Sequence, residues 1–178
     1  MANQSGPAIV NSKYFPNSVG DTWTYAVSDS SGQVIDTLQV TVQRTTTLSD
    51  GSEARVWQYV SRDSSYTRYV VQNADSVFVY ADSLGKRVKK IITPYEIHKQ
   101  WNLFSHSYEI KNMDTISVAN SNKIPTYHIY IYNPMQYANP ISEELWMAPY
   151  VGLVKEKVYV YGSTKISHLY QLMNYNLK

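Results

Sequence analysis

The residues of this chain with the chemistry for catalysis or metal binding are four histidines, an adjacent pair of glutamates and a scatter of Asp-Ser pairs. His98, His106, His128 and His168 fall in no His-x-Glu or His-Glu-x-x-His spacing, the arrangements that bring imidazoles and a carboxylate onto one metal ion. His128 and His168 lie in segments that read as strands, where pairing across a sheet is conceivable. His98 and His106 lie in an irregular stretch. Glu143 and Glu144 are neighbours on an expected strand, so they point to opposite faces and cannot flank one scissile bond. One of them is expected to be wet and the other to lie against a Lys or Tyr. The pairs beginning at Asp29, Asp63, Asp75 and Asp82 sit at turns, where the carboxylate bonds local backbone. There is no Gly-x-Ser-x-Gly elbow, no phosphate-binding glycine loop and no cysteine. No catalytic residue, metal ligand set or cofactor is expected. A glycan-active hydrolase is the lesser alternative, and it would need Glu96, His98, His106 or His128 to converge in a deep pocket.

The aromatic residues carry the other chemistry. The chain holds 17 Tyr against 3 Phe, with 4 Trp. Tyr suits half-buried sheet surfaces, because the ring packs while the hydroxyl stays wet. In Tyr127-His128-Ile129-Tyr130-Ile131-Tyr132, alternate side chains put Tyr127, Ile129 and Ile131 on one face and His128, Tyr130 and Tyr132 on the other. A flat sheet would leave one large apolar face in water. The sheet must curl on itself, pack a second layer or line a concavity. The candidate ligand-binding residues are Tyr127, Tyr130, Tyr132, Trp101 and Trp146.

The elements that would position them follow from period-two patterning. Trp23, Tyr25 and Val27 alternate with Thr22, Thr24 and Ala26. In 34–43, Val34, Leu38, Val40 and Val42 share one face and Thr37, Gln39, Thr41 and Gln43 the other. Asp50-Gly51 suits a tight hairpin. Further strands are expected over 54–61, 66–72, 76–81, 88–92, 107–110, 115–119, 127–132, 143–147, 153–161 and 165–175. A turn is expected at Asn112-Met113-Asp114, and 96–104 reads as a loop. Turn signals at short, regular intervals predict an all-β fold with little helix: a curled antiparallel meander forming a barrel or half barrel.

Bulk properties bound the function further. A length of 178 residues suits one domain, expected over 13–178 behind a flexible leader at 1–12. The net charge of +2 does not argue for nucleic acid. The one tight basic cluster, Lys86, Arg87, Lys89 and Lys90, reads as a solvated turn and strand end. No apolar run is long enough for a transmembrane helix.

Two segments resemble a known group. Tyr14-Phe15-Pro16-x-x-Val19-Gly20-Asp21-x-Trp23-x-Tyr25 is similar to the opening of many uncharacterised secreted or lipid-anchored bacterial proteins. Trp146-x-Ala148-Pro149-x-Val151-Gly152-Leu153-Val154-Lys155 is similar to a segment near their C-terminus. Between them, Ile92-x-Pro94 and Trp101 match a Pro-then-Trp element. The family typically has Gly where this chain has Tyr150, which predicts a different turn before Val151. Such proteins resemble the half barrels of the LolA/LolB-type lipoprotein carriers, although the helices that plug those barrels are not evident here. The resemblance implies an exported protein, periplasmic, outer-membrane-associated or extracellular, with a candidate lipid anchor upstream. It also implies a non-catalytic binding domain for a lipid or other amphipathic ligand. The alternative is a structural module that meets a protein partner through a sheet edge or Tyr-rich face.

Overall fold

The computed structural model describes residues 14–118, 122–136 and 138–178. The expected leader at 1–12 lies outside them. Twelve strands follow in chain order: β1 (Thr22–Ser28), β2 (Val34–Thr47), β3 (Glu53–Val60), β4 (Ser65–Gln72), β5 (Ser76–Tyr80), β6 (Arg87–Ile92), β7 (Gln100–Leu103), β8 (His106–Ser117), β9 (Lys123–Tyr132), β10 (Ile141–Ala148), β11 (Gly152–Tyr159) and β12 (Ile166–Asn176). They form one antiparallel sheet in the order β6-β5-β4-β3-β2-β1-β12-β11-β10-β9-β8-β7. No helix occurs among the described residues. The fold is all-β, a meander curled into a nearly closed barrel, as the alternation and turn spacing require.

Three local expectations change. The stretch 96–104 contains a strand, β7, which pairs with β8 from Gln100↔Glu109 to Leu103↔His106. Its four residues are too few to show a period. At Asn112-Met113-Asp114 the chain does not turn. β8 runs through, with an irregularity between Ile110 and Asn112 that shifts its register against β9. Val34 also leaves the buried face, because the register of β2 against β1 slips between Val27 and Ser28.

The inner face carries the core. Trp23, Tyr25, Val40, Val42, Ile91, Ile110, Ile129, Ile131, Leu145, Val154 and Leu172 belong to one buried cluster drawn from both halves of the sheet. Curling lets strands far apart in order bury their apolar sides against each other. A smaller cluster of Leu48, Ala54, Val71 and Tyr80 packs separately. The two edges of the sheet, β6 and β7, meet at a seam. There Trp101 Nε1 donates to the Lys90 carbonyl at 2.8 Å, and Trp101 stacks on Tyr108 at 5.3 Å.

Both motifs of the sequence have folding roles, and they touch. Trp23 Nε1 donates to the Val151 carbonyl at 2.7 Å, and the Tyr25 hydroxyl donates to the Leu153 carbonyl at 2.9 Å. Trp23 stacks on Trp57 at 4.8 Å, and Trp57 stacks on Phe15. Trp57 Nε1 donates to buried Asn17 Oδ1 at 2.7 Å. Gln72 and Tyr95 donate to the carbonyls of Phe15 and Tyr14. Residues 14–17 therefore lie across one end of the barrel, tied to β3, β4 and the β6–β7 connection. Asp21 is also buried, accepting Ser18 N and Lys178 N.

The turn between β10 and β11 keeps the geometry that glycine would favour. Val151 N donates to the Ala148 carbonyl, Pro149 takes the first central position, and Tyr150 follows with φ of 66°. Positive φ at the second central position defines a type II turn. Tyr150 carries a side chain in that left-handed conformation, at a cost of about 1–2 kcal/mol. Its ring is exposed and returns little by burial. Tyr150→Gly is expected to leave the fold intact and to be neutral or stabilising by up to about 1 kcal/mol in urea denaturation. Tyr150→Val is expected to destabilise by about the same amount, since a β-branched residue tolerates positive φ worst.

Candidate functional site

The barrel is not filled throughout. The β7–β9 side is packed by Trp101, Leu103, Tyr108, Ile110, Ile129 and Ile131. On the other side, β1–β6 and β10–β12 surround a cavity of about 330 Å³. Its wall is apolar and aromatic: Phe15, Trp23, Tyr25, Leu38, Val40, Trp57, Tyr59, Val79, Ile91, Leu145, Met147 and Leu153. Tyr66 and Val88 line it and are also exposed, so it opens to solvent beside them. Tyr66 stacks on Tyr59 at 4.8 Å with nearly parallel rings.

One charged cluster stands in this wall. Lys89 Nζ lies 2.8 Å from Glu156 Oε1 and 2.8 Å from Glu143 Oε2. Leu145 pairs with Glu156 and Glu143 with Val158, so the two glutamates are diagonal neighbours on the inner face of β10 and β11. Lys89 comes from β6, at the far edge of the sheet, and reaches both from across the lumen. It donates a hydrogen bond to Glu156. Its contact with Glu143 is an ion pair to the buried Oε2.

When both carboxyls are ionised, two carboxylates against one ammonium leave one negative charge in excess. Burial would discharge Lys89, but the paired carboxylates more than offset it and hold its pKa well above the ordinary value. Burial would likewise raise Glu143, yet the charge of Lys89 and hydrogen bonds from its neighbours keep that carboxyl below its usual range. For Glu156, burial and the nearby Glu143 outweigh Lys89 and push the carboxyl up. Glu156 is therefore the member that holds a proton most readily. Burial also raises the phenols of Tyr25 and Tyr59, which stay neutral. The fourth charged side chain of the wall, Arg68, sits over the ring of Tyr66 at 4.7 Å and donates to the Thr67 carbonyl.

A second polar cluster occupies the outer face of β8–β11. His128 lies between two carboxylates, with Nε2 2.7 Å from Glu144 Oε2 and Nδ1 3.3 Å from Asp114 Oδ2. It stacks on Trp146 at 4.0 Å, and Trp146 Nε1 donates to Asp114 Oδ2 at 2.9 Å. Lys155 and Lys157 lie over the Trp146 ring, and the Tyr159 hydroxyl donates to Glu144 Oε1. Burial would raise Glu144, but hydrogen bonds from His128 and Tyr159 and the charge of Lys157 hold it below the ordinary range.

The five aromatic residues expected to bind a ligand divide between these places. Tyr130, Tyr132 and Trp146 come together on the outer face, where Lys111 lies near both tyrosine rings. Tyr127 packs inward against Tyr95 at 5.2 Å, and Trp101 closes the seam. None of the five lines the cavity. Glu143 and Glu144 point to opposite faces as expected, but each has ionic partners and neither stands free in water. The basic cluster 86–90 is not wholly a solvated strand end: Lys86 and Arg87 are exposed, whereas Lys89 turns into the lumen. The alternation held the signal. Lys89 is two residues from Ile91, Glu143 two from Leu145, and Glu156 midway between Val154 and Val158, so each is a charge in an apolar-facing position. Glu96, His98, His106 and His128 do not line the cavity, and β9 and β12, which carry His128 and His168, are separated by two strands.

No protein-family model and no curated protein matches the chain. Among solved structures it is similar to a Bacteroides fragilis protein described as a "putative exported protein with YmcC-like fold", at 13% identity and a TM-score of 0.53, covering 93% of this chain and 99% of that one. It is similar to a "putative lipoprotein" from Parabacteroides distasonis at 14% identity and a TM-score of 0.53, with the same coverage of 93% and 99%. A "putative outer membrane lipoprotein-sorting protein domain" from Vibrio parahaemolyticus overlaps at a TM-score of 0.31 and 7% identity over 92% of this chain and 87% of that one, too low to define a common fold. The chain thus shares the fold of the first two.

Two outcomes test the charge assignments. Lys89→Met leaves two buried carboxyls without their cation and is expected to cost about 3–5 kcal/mol in chemical denaturation. Adding Glu143→Gln and Glu156→Gln to that variant is expected to recover most of the loss. On the outer face, Glu144 has a folded-state pKa below its unfolded one. Its contribution is present above the ordinary glutamate range and lost as pH falls through the depressed folded value. The stability difference between wild type and Glu144→Gln, followed by thermal unfolding, is expected to shrink across that acidic window.

Proposed function

We propose that this chain is a non-catalytic binding domain of the bacterial envelope or cell exterior, which holds an apolar or amphipathic ligand inside the barrel. The observation that carries this reading is the cavity itself. A well-packed barrel fills its lumen with side chains. Here about 330 Å³ is left open, walled by Trp, Tyr and aliphatic groups, with one polar cluster and an exit to solvent. Binding pockets for small molecules have this composition and are of roughly this size or larger, about 300–1,000 Å³. The export and lipoprotein descriptions of the two proteins that share the fold support an exported location. The ionisable groups of the wall favour binding over hydrolysis, because both carboxyls are engaged by the same lysine.

A protein partner is the second reading, and a different feature favours it. The edges β6 and β7 have no ladder joining them to each other, and the neighbouring turns expose Leu84 at 81% and Phe104 at 78%. Phe104 has φ of 53°, an uncommon conformation for an aromatic residue on an exposed turn. Edges of this kind accept a strand from another chain.

The neutral fluorophore N-phenylnaphthylamine should enter the cavity and brighten on titration. Val79→Phe, which adds a ring to the cavity wall, is expected to weaken that binding at least about tenfold with the far-ultraviolet circular dichroism unchanged. No brightening with the wild-type protein would overturn the cavity reading.

A further inference from the structure

We infer that the buried end of the ligand is a cation, an ammonium on an apolar or aromatic body, and that the cavity discriminates against anionic amphiphiles. This rests on the cavity-binding reading and specifies the chemistry of that same site.

The argument begins with the charges in the wall. Glu143 and Glu156 face the single ammonium of Lys89 across the lumen, each 2.8 Å from Nζ. When both are ionised the cluster carries one net negative charge in an apolar surrounding, where unmatched charge is costly. A second ammonium completes the set: two carboxylates against two cations.

Tyr25, Trp57, Tyr59 and Tyr66 line the same space, and an aromatic ring that a ligand reaches attracts an ammonium group more strongly once water is excluded. A carboxylate or phosphate at the depth of the ion cluster would meet two glutamates against one lysine. Arg68 is the one group that could favour an anion. Its guanidinium is engaged by the Tyr66 ring and the Thr67 carbonyl, and Tyr66 stands at the cavity opening. It could hold an anionic group only near the entrance.

The test compares three probes with the same chain, octylamine, octanol and octanoate, as competitors of N-phenylnaphthylamine at neutral pH. Trp23 and Trp57 line the cavity and give a second, intrinsic fluorescence signal. Octylamine is expected to displace the dye at a concentration at least about tenfold lower than octanol, with octanoate weakest. Glu156→Gln, which keeps the shape and removes the excess charge, is expected to abolish the advantage of the amine and leave octanol unchanged. Glu143→Gln provides an independent variant should the first fold poorly. Octanoate competing as well as octylamine, or all three failing against a dye that binds, would overturn the cationic assignment while leaving the cavity reading in place. If neither the dye nor any competitor bound, the cavity reading itself would fall, and this inference with it.

Discussion

A sheet that is apolar on its inner face along twelve strands cannot lie flat in water, and the rest of the molecule follows from how it curls. The inner positions of β1, β2, β6, β10, β11 and β12 all contribute to one core, although β6 and β7 are the two ends of the strand order. Bringing those ends together takes specific contacts. Trp101 spans the seam to the backbone of β6, and Lys89 crosses the lumen from β6 to the glutamates of β10 and β11. A cation in a low-dielectric interior must find its counter-charges, so Lys89 fixes the distance between opposite walls as well as neutralising them. The same contact that braces the barrel sets two carboxyl groups against one lysine, which ties the architecture to the chemistry of the cavity.

The two sequence motifs complete this frame from the other direction. Residues 14–17 lie over one end of the barrel, where Phe15 stacks on Trp57 and Asn17 accepts from its indole. Trp23 and Tyr25 then reach across to the carbonyls that follow the late turn at Pro149. Two segments that are 128 residues apart thus share hydrogen bonds at the base of the cavity. Their indoles and phenols are both structural and part of the binding wall. In a barrel of this size the core and the pocket are built from the same side chains, which differ only in whether a neighbour fills the space beside them.

The outer cluster around His128 shows how a sheet with rings on both sides accommodates the second face. Trp146 is buried there with the ammonium groups of Lys155 and Lys157 over its ring, and His128 is hydrogen-bonded through Nε2 to Glu144 with Asp114 3.3 Å from Nδ1. An ammonium over an indole face is attracted by the ring and covers it at the same time. Tyr130 and Tyr132 could be placed on this face from alternation alone. Whether the cover over Trp146 existed could not, because the lysines come from a strand paired with it through a turn whose register has a shift between Trp146 and Met147.

Alternation of residue types by itself determined the all-β class, the antiparallel meander and nearly every strand, because side chains on an extended backbone flip with period two whatever surrounds them. It also placed Glu143 and Glu144 on opposite faces. It missed β7, too short to show a period, and took the middle of β8 for a turn, because Asn and Asp tolerate strand irregularities as well as turns. Only the tertiary structure decided which alternating face became the lumen, where that lumen stayed open, and that Lys89, Glu143 and Glu156 meet inside it. Those facts depend on curvature and on partners from strands far apart in sequence. A charged residue on an apolar face reads locally as an anomaly, and its meaning is set by what stands across the barrel.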